Sequence, residues 1–438
     1  MGEITKLTQP EWTIMIYFAA DNNLCKWGRD TLKDLQGVGS APEVRVAAQF
    51  DGQGDRGIWQ YRIRKGTADA DVKLDEKQVP DSADPDTIVN FVKWVMQDPT
   101  YQAKKYALIL WGHGSGWGSK KTTRPTKARE KPLRPSSKGF FRKAVPPVGA
   151  GRPGMGGGAL VDYGSGNDLD TIELSRVLGR VNGSLKPSGR KLDLLGLDAC
   201  LMSNLEVAYE IRKHVRYVVA SEDLQRGEWN YKEILTTLRA EPGRSAVDLA
   251  EMIVNSCELT IGSPREGLCT RTALDLSKLD GALKALKDLA AALNAEISDG
   301  IEFVLEAQED CCYFWYGDAL QDIASFCEAL TKSRVGGQVK DAALKAREKF
   351  RRGVNNLVFA IGSTNPFEYL NCGGLTVYLP YPRGETELDL PSYNTLAFAK
   401  DFPSWPEFLR AYNKTESAPP ESSEASQSTP LKNGKPRK

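Results

Sequence analysis

Two residues have the types and the setting for acyl transfer. Cys200 closes the run "KLDLLGLDAC", and His113 follows the run "KYALILW" inside "WGHGSGWG". A thiolate attacks a carbonyl, while a neighbouring imidazole takes or orients the thiol proton and then protonates the leaving amine. Each residue comes just past a short apolar run of the kind that forms a covered strand. The carboxyl ends of such strands are where an open α/β sheet keeps its chemistry. Gly112, Gly114 and Gly116 would let the backbone around His113 turn sharply and lie close to a neighbour. Taken singly, each has a plainer reading: a structural histidine in a turn, and a cysteine used as a small buried hydrophobe. The second histidine, His214, falls inside a helical pattern and reads as a surface or interface residue.

Other chemistries are poorly supported. The eight cysteines (Cys25, Cys200, Cys257, Cys269, Cys311, Cys312, Cys327, Cys372) show no CxxC pair, no metal-ligand spacing with histidine and no disulfide framework. They read as mostly reduced core residues, and the adjacent Cys311 and Cys312 as structural. "GAGRPG" (149–154) matches GxGxxG, but no strand precedes it and Pro153 interrupts it, so a dinucleotide site is rejected. No P-loop or EF-hand pattern occurs. No metal is assigned and no cofactor is required, although calcium through scattered loop acids stays open.

The elements that must position these residues alternate strand with helix. "WTIMIYFAA" is a strand ending at "DNNL", "EVRVAAQFD" is a second, and "GIWQYRI" reads as a hairpin arm. "DPDTIVNFVKWVMQD" has apolar residues at helical spacing, with Asp84 as cap and Pro85 in the first turn. After the runs before His113 and Cys200 come a helix, "NLEVAYEIRKHV", and a strand, "YVVASE". This rhythm predicts a mainly parallel sheet with helices on both faces. Residues 236–413 are richer in helix (245–259, 280–295, 319–332, 339–352), interrupted by strand-like "CTRTALDL", "NNLVFAIG" and "GLTVYLPY".

Across the 438 residues, 41% are hydrophobic and the formal net charge is +1, which fits a globular protein without a global field for nucleic acid or membrane. No apolar run is long enough for a membrane helix. The start has no apolar leader, and Lys6 stands where a myristoylation signal needs Ser or Thr, so a cytoplasmic location is expected. Residues 119–158 carry eleven Lys and Arg against one acid, Glu130, with Pro and Gly throughout, and read as a disordered basic insert. Residues 414–438 read as a disordered tail.

"ILWGHGSGW" followed by "LLGLDACLMSNLEVAYE" resembles the clostripain family of cysteine peptidases in the caspase-like clan. "IMIYFAADNNL", "GGLTVYLP" and "FPSWPEFLRAY" extend the likeness over most of residues 11–413. His113 and Cys200 are 87 residues apart, and removing the insert brings the gap close to the roughly 50 of caspase-type signatures. The resemblance implies an α/β caspase-like fold: a catalytic core at 11–235 and a helix-rich subdomain at 236–413 that adds strands. It implies a Cys200–His113 dyad and an oxyanion hole from the backbone N–H groups of Gly114 and Cys200. It also implies cleavage after Arg or Lys, which needs a carboxylate in the S1 pocket. Asp198 is the first choice, because period-two alternation would point it to the same side as Cys200; a helix-capping role is its plainer reading. Glu222, Asp223 and Glu228 are further choices, although one residue is missing before Trp229 relative to the family pattern.

Such an enzyme would act on peptides and proteins with a basic P1 residue, as a monomer, without nucleic-acid or membrane partners. It would also cut itself. Bonds before proline resist proteolysis, and Lys120 and Lys121 lie too near the His113 loop to reach the site, which leaves Lys127, Arg129, Lys138, Arg142 and Lys143 as cleavage positions in the insert. The competing readings are a catalytically silent caspase-like scaffold and a basic strip that binds anionic partners.

Overall fold

The computed structural model describes residues 9–55, 57–74, 81–118, 159–162, 165–225, 229–257, 270–312, 314, 319–363, 371–382 and 388–414. The basic insert, its five cleavage positions, Glu228 and all but the first residue of the tail lie outside them.

Strands β1 (Trp12–Ala20), β2 (Val44–Gly52), β3 (Ile58–Arg62), β4 (Val72–Leu74) and β5 (Lys105–Trp111) come before the insert. After it come β6 (Ala159–Asp162), β7 (Asn167–Leu169), β8 (Leu192–Asp198), β9 (Val215–Ala220), β10 (Thr270–Asp275), β11 (Leu320–Asp322), β12 (Val358–Ser363) and β13 (Thr376–Tyr378). Nine of them form one sheet in the order β12-β10-β9-β8-β5-β1-β2-β3-β4. The inner five, β9 to β2, run parallel, and antiparallel strands finish both edges. The fold is the mainly parallel caspase-like α/β architecture expected, and strands from both sides of residue 236 share its sheet.

Alternation along β1 shows how the sequence builds the two layers. Trp12, Ile14, Ile16 and Phe18 pack on one face with α1 (Cys25–Val38). Met15, Tyr17 and Ala19 pack on the other with α2 (Pro85–Met96) and α3 (Thr171–Ser184). Helix α4 (Leu205–Ile211) joins the second layer, whereas α5 (Tyr231–Ala240) and α6 (Ala246–Asn255) cover the first. Asp84 does cap α2, accepting from the Asp86 N–H at 2.7 Å, with Pro85 just inside.

The C-terminal helices extend the second layer: α7 (Leu279–Glu309), α8 (Ile323–Lys332), α9 (Gly337–Phe350), α10 (Leu390–Tyr393), α11 (Ala397–Asp401) and α12 (Ser404–Lys414). Helix α7 runs well past the expected end at 295. Val304 and Ala307 are buried on its far half, so tertiary packing overrides the Ser298-Asp299-Gly300 breaker. The helix expected from 319 begins instead with β11, which pairs antiparallel with β13.

One cysteine expectation is corrected. Cys312 and Cys372 form a disulfide with Cα atoms 5.9 Å apart, 60 residues apart in sequence. Adjacency of Cys311 and Cys312 excludes a bond between those two but not a long-range partner. The bond ties the end of α7 to the segment before β13, with Phe314 packed against it. Cys25, Cys311 and Cys327 are free thiols.

Candidate active site

β1 sends the chain to β2 on one side, while β5 lies on its other side, so the strand order reverses between β1 and β5. A crevice opens at the carboxyl ends of the strands at such a point. The tips of β8, β5 and β1, side by side, carry Cys200, His113 and Asn23.

Register brings the first two together. Trp111 of β5 pairs with Asp198 of β8, and two residues further along each chain stand His113 and Cys200. Gly114 locks that approach: a Cβ built there would overlap the Cys200 carbonyl oxygen and come within 2.9 Å of Ala199 Cβ and Met202 Cγ. Only glycine fits the spot. Gly114 also forms an antiparallel bridge with Ala159, and the Leu160 N–H donates to the His113 carbonyl at 2.9 Å.

Both reactive groups are nearly sealed, Cys200 at 3% exposure and His113 at 7%. The Gln225 N–H lies 3.1 Å from the Cys200 sulfur and donates to it. Imidazole Nε2 of His113 is 2.7 Å from Asn23 Oδ1. The turn after Cys200 is stitched at several points: Leu201 N–H donates to the Asp223 carbonyl, Ser203 N–H to the Ser221 carbonyl, and Thr376 N–H to the Ser203 carbonyl. Core sheet and C-terminal part therefore hold the cysteine turn jointly. Among the described residues, no group of three or more His, Cys, Asp and Glu is arranged to hold a metal.

The acids proposed for substrate binding fall in different places. Asp198 is fully buried and accepts a 2.9 Å hydrogen bond from the Tyr231 hydroxyl of α5. Gly196 makes room for this arrangement, since its bare Cα lets the Trp229 indole lie on β8. Strand β8 ends at Asp198, so the period-two alternation does not carry through to Cys200, which packs with the second hydrophobic layer. Nor does Asp198 cap α4, because Asn204 does. Asp223 is buried beside Leu201, immediately after the thiol. Glu222 is fully buried and turned toward Asp322. Burial pushes its carboxyl well above the ordinary range, and the neighbouring Asp322 pushes it further. His214 is half-buried away from this crevice against Gly179. Asn23, Gln225 and Tyr231 carried no signal of their own, although "DNNL" at the tip of the strand beside β5 was a pointer to the first.

The profile of the family described as the clostripain family matches residues 16–129 and 159–410. The chain belongs to the clostripain family. The match breaks over 130–158, within the basic insert. Clostripain of Hathewaya histolytica is 22% identical over 461 residues, spanning 90% of this chain and 78% of that protein. Solved structures of family members align along nearly their whole length. A secreted C11 cysteine protease from Bacteroides thetaiotaomicron, in complex with an irreversible peptide inhibitor, has a TM-score of 0.57 at 18% identity, covering 91% of this chain and 99% of that one. An inactive zymogen C11 protease from Parabacteroides distasonis has a TM-score of 0.55 at 20% identity, covering 90% and 99%.

Membership makes this clostripain-family chain a cysteine peptidase acting on peptide or protein substrates. It also corrects the cytoplasmic expectation, because two structural neighbours from B. thetaiotaomicron are described as secreted. The disulfide is of a kind that persists in oxidising compartments. Among the described residues, no helix is long and apolar enough to cross a membrane.

Proposed function

We propose that the chain is an endopeptidase that cleaves after Arg or Lys through a Cys200–His113 dyad and is activated by cutting its own basic insert. The observation that carries this reading is the register of β5 and β8, with Gly114 pressed against the Cys200 carbonyl. Cys200 sulfur attacks the scissile carbonyl carbon as its proton passes to the imidazole of His113. The negative oxygen of the tetrahedral intermediate is stabilised by the backbone N–H groups of Gly114 and Cys200. The intermediate collapses as the imidazolium protonates the leaving amine, and water then hydrolyses the thioester by the reverse proton route.

Basic P1 selectivity would come from the charge of Asp198, with Asp223 as second acid. Tyr231 holds Asp198 at fixed orientation, and a preorganised carboxylate suits a cationic side chain. Near-complete burial of Cys200 and His113 agrees with a chain still awaiting activation. The inactive zymogen form of the P. distasonis neighbour supports that reading by analogy.

Turnover of fluorogenic peptides with Arg, Lys or Asp at P1, by wild type and Cys200→Ala, tests the reading. Wild type should cleave the basic substrates after its insert is cut, and Cys200→Ala should cleave none. Activity confined to the acidic substrate would refute the specificity. Fragments sequenced from both chains test the self-cut: ends at Lys127, Arg129, Lys138, Arg142 or Lys143 in wild type only are expected, and identical nicking in Cys200→Ala would refute it.

A further inference from the structure

We infer that Asn23 is a positioning residue for His113: it fixes which imidazole nitrogen carries the proton and so leaves Nδ1 as the basic atom offered to Cys200. The inference rests on the proposed dyad and adds a third strand tip to it.

The loop between β1 and α1 is built to hold Asn23 in place. Asn22 is fully buried; its Nδ2 donates to the Ala19 carbonyl at 2.9 Å, and its Oδ1 accepts from the Leu24 N–H at 2.9 Å. That pair of bonds is a local side-chain turn closing the end of β1. Asn23, next in sequence, is left at the exposed rim with its Oδ1 2.7 Å from His113 Nε2. An amide oxygen is an acceptor only, so Nε2 must bring the hydrogen. In a neutral imidazole the other nitrogen then carries no proton.

This bond bears on the chemistry in two ways. The ring cannot spin to present either nitrogen, because rotation would break the Asn23 bond. The Asn23 carbonyl dipole also favours the imidazolium that forms when Cys200 gives up its proton, without the full charge a carboxylate would bring. A neutral partner suits a histidine that must both accept that proton and return it to the leaving amine.

The chain has only two histidines, which makes the tautomer directly observable. Full-length Cys200→Ala protein carrying ring-15N histidine, with His214→Gln to assign the signals, gives the protonation pattern of His113 by NMR. The expected pattern is a neutral ring with its proton on Nε2, replaced by a tautomer mixture in Asn23→Ala. A proton on Nδ1, or a pattern unmoved by Asn23→Ala, would overturn the inference.

Kinetics supply the second readout. Asn23→Ala should lower kcat/KM about ten- to a hundredfold, mostly in kcat. The pH limb set by the imidazole should move down in Asn23→Ala and up in Asn23→Asp, which keeps the acceptor and adds charge. A merely structural role would weaken both variants without opposite shifts, and that outcome refutes the inference. His113→Ala and Cys200→Ala run alongside: full activity in either sinks the dyad itself, whereas loss in both with normal Asn23→Ala kinetics sinks only the role of Asn23.

Discussion

Gly114 is the residue where sequence and geometry constrain each other most tightly. A methyl group there has nowhere to go but into the Cys200 carbonyl, so the His113 loop and the cysteine turn would have to separate. Gly114→Ala is therefore expected to cut kcat/KM by about a hundredfold or more, since small misplacements of catalytic groups cost that much. Its thermal unfolding should change far less, and equal losses of activity and folding would contradict the assignment. Asp198→Asn keeps an acceptor for the Tyr231 hydroxyl while removing the charge. It should narrow any preference for Arg over an uncharged P1 residue about ten- to a hundredfold, the worth of one charge-assisted bond. An unchanged preference would move the S1 acid elsewhere.

At the scale of elements, the disulfide has a measurable consequence. It closes a loop of about 60 residues containing β11, α8, α9 and β12. Cys372→Ser should lower stability by about 2–4 kcal/mol, read from denaturant unfolding, and reductant should reproduce the shift in wild type. No difference between oxidised and reduced protein would contradict a formed bond. The sequence disclosed the inner strands because each is a continuous apolar run between turn residues, and the residues just past β5 and β8 marked those two tips. It disclosed much less of the features that depend on distant partners. The far half of α7 is helical because it packs, not because its residues demand it. Cys312 finds Cys372 across four folded elements. Asn23 meets His113 only because β1 and β5 are neighbours, a pairing that no local pattern specifies. The alternation rule says nothing about Cys200, because it holds within a strand and β8 ends at Asp198.

Over the whole molecule, the cysteine turn is a joint between the parallel sheet and the C-terminal part. Ser203 donates its hydroxyl to the Gly374 carbonyl at 2.6 Å, and Asp322 caps α8 while accepting from Gly373 and Gly374 N–H groups. Glu222, on the tip of β9, faces Asp322 in this joint. Because burial raises the native carboxyl of Glu222 above its ordinary value near 4.5, the folded state holds that proton more tightly than the unfolded chain. Its contribution to stability is greatest at acid pH and declines as pH climbs from about 4.5 through the raised native value. Glu222→Gln removes the titration, so its stability relative to wild type should rise as pH climbs above about 4.5. A relative stability independent of pH would mean that Glu222 is ionised in the fold.

The central claim is that Cys200 is the nucleophile and His113 its proton partner. Treating the activated enzyme with a peptidyl chloromethyl ketone bearing Arg at P1, then mapping the adduct by mass spectrometry, tests it most directly. The account predicts one adduct, on Cys200, absent in Cys200→Ala and formed far more slowly in His113→Ala. Stoichiometric inactivation with the label on any other residue, or labelling of Cys200 at an undiminished rate without His113, would contradict it.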